Sequence, residues 1–111
     1  MYDDGSIYEG YWHLDMRDGN GRYISIDGDT YDGYFEKDNR EGKGTLTFYD
    51  GSYYNGTFKG DLKSGTGTET YTDGSKYTGS FSRDMRNGQG TMVWTSGKTY
   101  TGEFQNDKIE G

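Results

Sequence analysis

The sequence contains no cysteine, no proline and no alanine, one histidine, and only eight Ile, Leu or Val in 111 residues. Without cysteine there is no disulfide, no thiolate metal site and no thiol nucleophile. That absence fits a reducing, cytoplasmic setting. His13 stands just before a turn, and no Ser/His/Asp set is assembled from repeated positions, so no catalytic residue is expected. No zinc or P-loop spacing is present. Asp27, Asp29 and Asp32 cluster, but Tyr31 and Asp32 stand where a calcium loop needs an oxygen ligand and a glycine. No metal or cofactor is expected. No apolar run approaches the ~18 residues that span a bilayer, and no signal peptide is visible.

Low apolar content (28%) with a net charge of −7 would ordinarily suggest disorder. Two features argue against it. Aromatics make up 17% of the chain, and there are 20 glycines. Nineteen of those glycines keep one 23-residue phase, and only Gly60 does not. Tyr8, Tyr31, Tyr54, Tyr77 and Tyr100 are each 23 residues apart, as are Gly10, Gly33, Gly56, Gly79 and Gly102. Trp12, Phe35, Phe58, Phe81 and Phe104 follow, then Gly19, Gly42, Gly65, Gly88 and Gly111. A fixed period marks a repeat array whose units bury apolar stripes against their neighbours. The units are 8–30, 31–53, 54–76 and 77–99, with a partial unit 1–7 and a truncated one 100–111. Both ends of the chain fall inside a unit, as expected of a segment of a longer array or of edges covered by a partner.

Each unit reads as two strands. In the first unit these are Ser6–His13 and Gly19–Ile26, joined by a polar turn Leu14–Asp18. Asp27–Gly28 then predicts a hairpin turn with both residues at positive φ. The expected fold class is all-β: an elongated, twisted, single-layer antiparallel meander of stacked β-hairpins. Strand glycines are expected to give bare backbone on which neighbouring rings lie. On alternation, Gly19 and Gly21 share a face. Two strands per unit at ~4.8 Å give an array about 45 Å long.

Tyr-x-Gly-x-Phe, then Gly-x-Gly, then Asp-Gly, at this period, resembles the MORN (membrane occupation and recognition nexus) repeat over essentially the whole chain. The departures are Trp12 for Phe, Ile109 where the other units carry Arg or Lys, and a variable row Ser25, Phe48, Tyr71 and Trp94. The resemblance implies a curved sheet with one grooved face and a scaffolding, protein-binding or dimerising role, with cytoskeletal, ciliary or membrane association.

The expected act is to hold a partner's helix or extended peptide in an aromatic groove. The lining would be Tyr8, Trp12, Tyr31, Phe35, Tyr54, Phe58, Tyr77, Phe81, Tyr100 and Phe104. A homo-dimer or larger self-assembly is one alternative. Phosphoinositide or other acidic-lipid binding is another, along an edge bearing Arg17, Arg40, Lys63 and Arg86. Asp15, Asp38, Asp61, Asp84 and Asp107 lie two residues before the basic row and its Ile109 counterpart, so self-neutralising turns are the favoured reading of that edge. A net charge of −7 disfavours membrane and excludes nucleic acid as expected partners. Residues 1–50 hold 12 acidic and 5 basic side chains, against 7 and 7 in residues 51–111. The partner is therefore expected to be neutral or basic, with its positive end toward residues 1–50. Extra aromatics in that half, Tyr11, Tyr23, Tyr34 and Tyr49, with Tyr53 at the join, are candidate contacts.

Overall fold

The computed structural model describes residues 5–109. They form one sheet of ten strands in strict sequence order, every pair antiparallel. The strands are β1 Ile7–His13, β2 Met16–Ile24, β3 Thr30–Glu36, β4 Asn39–Thr47 and β5 Tyr53–Lys59. They continue as β6 Leu62–Thr70, β7 Lys76–Ser82, β8 Met85–Val93, β9 Thr99–Gln105 and β10 Lys108–Ile109. The molecule extends 46 Å along its longest axis and 18 Å along its shortest, close to the length expected from strand spacing.

The two kinds of turn exchange the roles predicted for them. The tight, mirror-type turn is not Asp27–Gly28. It is Leu14–Asp15 and its equivalents Lys37–Asp38, Gly60–Asp61, Arg83–Asp84 and Asn106–Asp107, where both residues have positive φ, for example 49° and 70° at Lys37 and Asp38. Such a turn matches the right-handed twist of the strands it joins. It therefore spans two residues, and the second strand begins at Met16, not Gly19. The one glycine outside the repeat phase is explained here: Gly60 takes the first left-handed position, at φ 55°, where an ordinary side chain costs about 1 kcal/mol or more.

At the Asp-Gly loop only the glycine is left-handed, with φ 93° at Gly28. The Gly28 N–H donates to the Ser25 carbonyl (2.9 Å), and the Ser25 N–H to the Asp29 carbonyl (2.8 Å). This is a type I turn closed by a glycine bulge, so Asp27 keeps an ordinary backbone. The aspartate at this loop position is used as an acceptor. Asp50 Oδ1 takes the Ser52 N–H (2.9 Å), and Asp73 Oδ1 takes the Ser75 N–H (2.8 Å).

The core is a single zigzag of rings. Tyr31, Phe35, Tyr54, Phe58, Tyr77, Phe81 and Phe104 are all buried, with Met92. Each tyrosine meets the phenylalanine of its own unit and that of the next, edge to face: Tyr54 lies 5.1 Å from Phe58 and 4.9 Å from Phe81. Each such pair adds about 0.5–1.5 kcal/mol beyond area burial. That gain accumulates along an array with few aliphatic side chains.

Glycine makes the zigzag possible. Gly56 and Gly67 pair across β5 and β6, and the Tyr54 ring lies over both. A Cβ at Gly56 would stand 2.6 Å from Tyr54 Oη and 2.5 Å from the Gly67 Cα. The ring thus rests on glycines of its own hairpin. A register shift between Gly56 and Thr57 turns out a carbonyl, and the buried Tyr54 O–H donates to it (2.8 Å). Tyr8, Tyr31, Tyr77 and Tyr100 repeat this bond to the residue three positions on. The same irregularity breaks the alternation expected of Gly19 and Gly21. A Cβ at Gly21 would meet Tyr8 at 2.7 Å, whereas one at Gly19 would meet Tyr11 at 3.5 Å.

Candidate functional site

The sheet has a ring-bearing face and a back face, and the ring-bearing face carries the candidate site. Of the ten aromatics expected to line a groove, Tyr31, Phe35, Tyr54, Phe58, Tyr77, Phe81 and Phe104 are packed against one another with 4% exposure or less. Tyr8 and Tyr100 are half-buried near the two ends, and Trp12 is 52% exposed. Burial pushes the Tyr31 and Tyr54 phenols up to about 12. These rings form the floor of the face.

Beyond Trp12, accessible apolar surface above that floor comes from the variable row. Ser25, Phe48, Tyr71 and Trp94 occupy one repeat position, immediately beyond β2, β4, β6 and β8. Phe48 and Tyr71 are half-buried and Trp94 is 37% exposed. The row before it is Tyr23, Leu46, Glu69 and Met92, of which Tyr23, Leu46 and Met92 pack with the rings. A cavity of about 300 Å³ opens beside Ser25, between Arg17, Tyr23, Tyr31, Arg40, Leu46 and Phe48.

The basic row stands near the start of β2, β4, β6 and β8, and its side chains reach back over the rings. Arg17 bonds Asp38, the turn aspartate of the next unit and 21 residues ahead, not its own turn. Its Nε donates to Asp38 Oδ1 (3.0 Å), its Nη2 to the Asp38 carbonyl (2.7 Å), and its backbone N–H to Oδ1 (2.7 Å). The Asp38 N–H returns a bond to the Arg17 carbonyl (3.0 Å). The Arg17 N–H and then the guanidinium hold the Asp38 carboxyl below the usual carboxylate range. Arg40 repeats the arrangement on Asp61, and Arg86 on Asp107.

The guanidiniums also lie near core rings, Arg17 at 5.1 Å from Phe35 and Arg40 at 5.2 Å from Phe58. The four cations expected along a lipid-binding edge are therefore used within the protein. Arg17, Arg40 and Arg86 staple one unit to the next with side chains only 21–24% exposed. Lys63 bonds Glu69 and is 15% exposed.

The extra aromatics of the first half divide. Tyr23 packs on the core under Arg17, 5.0 Å from its guanidinium. Tyr11 (71% exposed) and Tyr34 (39%) lie against Gly19 and Gly42 on the back face. Tyr49 is exposed beside the Gly28 loop. In the second half the back face is a shallow hydroxyl-rich surface around Asn55, Thr57, Thr66, Thr68 and Thr78. The acidic cluster does not converge: Asp29 Oδ1 accepts the Tyr49 N–H (2.9 Å), and Asp32 pairs with Arg22 (2.7 Å). His13 ends β1 opposite Met16. No helix among the described residues is long and apolar enough to cross a membrane.

The sequence pattern of the MORN repeat matches residues 8–30, 31–53, 54–76, 77–99 and 100–111. No curated protein matches the chain. Repeats of this type are generally protein- or membrane-interaction modules and are non-enzymatic.

Proposed function

The chain belongs to the MORN repeat family, and from that premise we propose that it is a scaffold holding a helix or extended segment of a partner protein on its ring-bearing face. The observation that carries this reading is the row Phe48, Tyr71 and Trp94. These large apolar side chains stand at one repeat position and remain partly exposed above a floor of buried rings. Their spacing is one unit, about 10 Å, which suits side chains of a segment crossing the strands. The ten ladder aromatics act in this reading mainly as support, with Tyr8, Trp12 and Tyr100 the ones a partner reaches. The acidic first half favours a neutral or basic partner.

The test borrows residues from the protein's own repeats. A random peptide library is selected on the wild-type protein, and the selected peptides are then measured against two variants. Phe48→Ser with Trp94→Ser copies Ser25 onto the ring-bearing face. Tyr11→Thr with Tyr34→Thr copies Thr57 onto the back. Binding falls by about tenfold or more in the first and is unchanged in the second. The reverse pattern, in folded proteins, overturns the reading.

A further inference from the structure

We propose that the cavity beside Ser25 is an anchor site that takes one aromatic side chain of the bound protein segment. The proposal rests on the ring-bearing face being the docking face, and it adds where a segment is gripped and by what chemistry.

The repeats themselves indicate the occupant. Later units carry Phe48, Tyr71 and Trp94 where the first carries Ser25, so the rest of the row is completed by rings and this rung is left open. The opening, about 300 Å³, sits at the lower limit of ligand-pocket sizes, which suits one large side chain. Its walls decide among side-chain classes. Tyr23, Tyr31, Leu46 and Phe48 supply apolar and aromatic surface, and Arg17 and Arg40 supply two guanidiniums. A cationic anchor would face both guanidiniums. An anionic anchor would find them already bonded to Asp38 and Asp61, with Asp29 also in the lining. A neutral aromatic ring meets ring edges and guanidiniums favourably, and does so better than an aliphatic chain.

The test uses N-acetyl-tryptophanamide as the probe, titrated into the intact, isotope-labelled protein and followed by amide chemical shifts. Saturable shifts at Ser25, Asp29, Leu46 and Phe48 are expected, with weaker shifts for N-acetyl-leucinamide at equal concentration. Ser25→Phe, which copies Phe48, fills the opening and abolishes the shifts while the remaining spectrum is retained. Nuclear Overhauser contacts from the indole to the Leu46 methyls in the wild-type protein provide a readout independent of that variant. No saturable shifts, equal response to the leucine probe, or indole contacts elsewhere would overturn the anchor site. If the library peptides still lose binding in the Phe48→Ser, Trp94→Ser protein, the docking face stands without the anchor.

Discussion

Arg40 and Lys63 occupy the same place in consecutive units and solve it differently. Both face the next unit's turn aspartate through identical backbone bonds. The Arg40 N–H reaches Asp61 Oδ1 (3.1 Å), and the Lys63 N–H reaches Asp84 Oδ1 (2.8 Å). The side chains diverge. The guanidinium of Arg40 spans Asp61, with Nε on Oδ1 (2.8 Å) and Nη2 on the carbonyl (2.6 Å). The ammonium of Lys63 turns inward to Glu69, which stands where Leu46 covers the rings in the preceding unit. Glu69 also accepts the Tyr71 O–H (2.6 Å), at the position of Phe48. Burial, reinforced by Glu69, raises the Tyr71 phenol well above its ordinary value.

The contrast separates two layers of the junction. The backbone contact belongs to the fold and is common to every junction. The three side chains at positions 63, 69 and 71 form a separable set: Arg with two apolar residues in the units of Arg40 and Arg86, Lys with a carboxylate and a phenol here, while Arg17 stands with Tyr23 and Ser25. Arg serves the first set because its planar fork reaches two acceptors at once, whereas an ammonium is a point charge that follows the strongest anion.

The largest effect that would break this comparison comes from dividing the set. Glu69→Leu alone strands the Lys63 ammonium in a site where it is 15% exposed, and the expected loss is about 2–4 kcal/mol, measured by chemical denaturation. Lys63→Arg, Glu69→Leu and Tyr71→Phe together copy Arg40, Leu46 and Phe48. That triple variant is expected to be at least as stable as the wild type, because well-packed apolar residues generally match or exceed a buried ion pair. A triple variant no better than the single one would show that the residues are not a separable set.

A smaller effect compares the turn aspartates. Asp38→Asn removes the charge that Arg17 holds and is expected to cost about 1 kcal/mol. Asp84→Asn is expected to change little, because the Lys63 ammonium bonds Glu69 in its place. Equal losses in thermal unfolding would contradict the difference drawn between the two junctions.

The smallest effect is on pH dependence. Carboxyls held below their ordinary range, at Asp38, Asp50 and Asp73, contribute stability present above about pH 4 and lost as pH falls through their folded values. Tyr31 and Tyr54, pushed up to about 12, contribute stability present below about pH 10 and lost as pH rises toward 12. Melting temperature is therefore expected to hold a plateau between these limits. Asp38→Asn should soften its acid edge.

Much of the fold was legible because repetition removes ambiguity. The 23-residue phase located the rings and the glycines beneath them, and the hairpin meander follows from their alternation. The candidate site was less legible. Tyr31 and Phe35 read as groove lining, since periodic aromatics look alike whether they form a floor or a surface. Arg17 read as pairing near its own turn, because adjacency in sequence says nothing of a partner 21 residues ahead across the sheet. The Asp-Gly pair drew the tight-turn assignment from Leu14–Asp15, since leucine and lysine carry no signal for a left-handed backbone. Gly60 and the invariant turn aspartate were the available hints.

The sequence by itself determined the period, the strand-and-turn alphabet and the pairing of each tyrosine with bare glycine, because these depend on backbone geometry and nearest neighbours. Only the tertiary structure decided which turn is left-handed, which cations are used up between units and that the gap in the ring row at Ser25 opens into a cavity. Those outcomes depend on strand register and on side-chain reach across units. Residues 20 or more apart in the chain become neighbours only when the units stack.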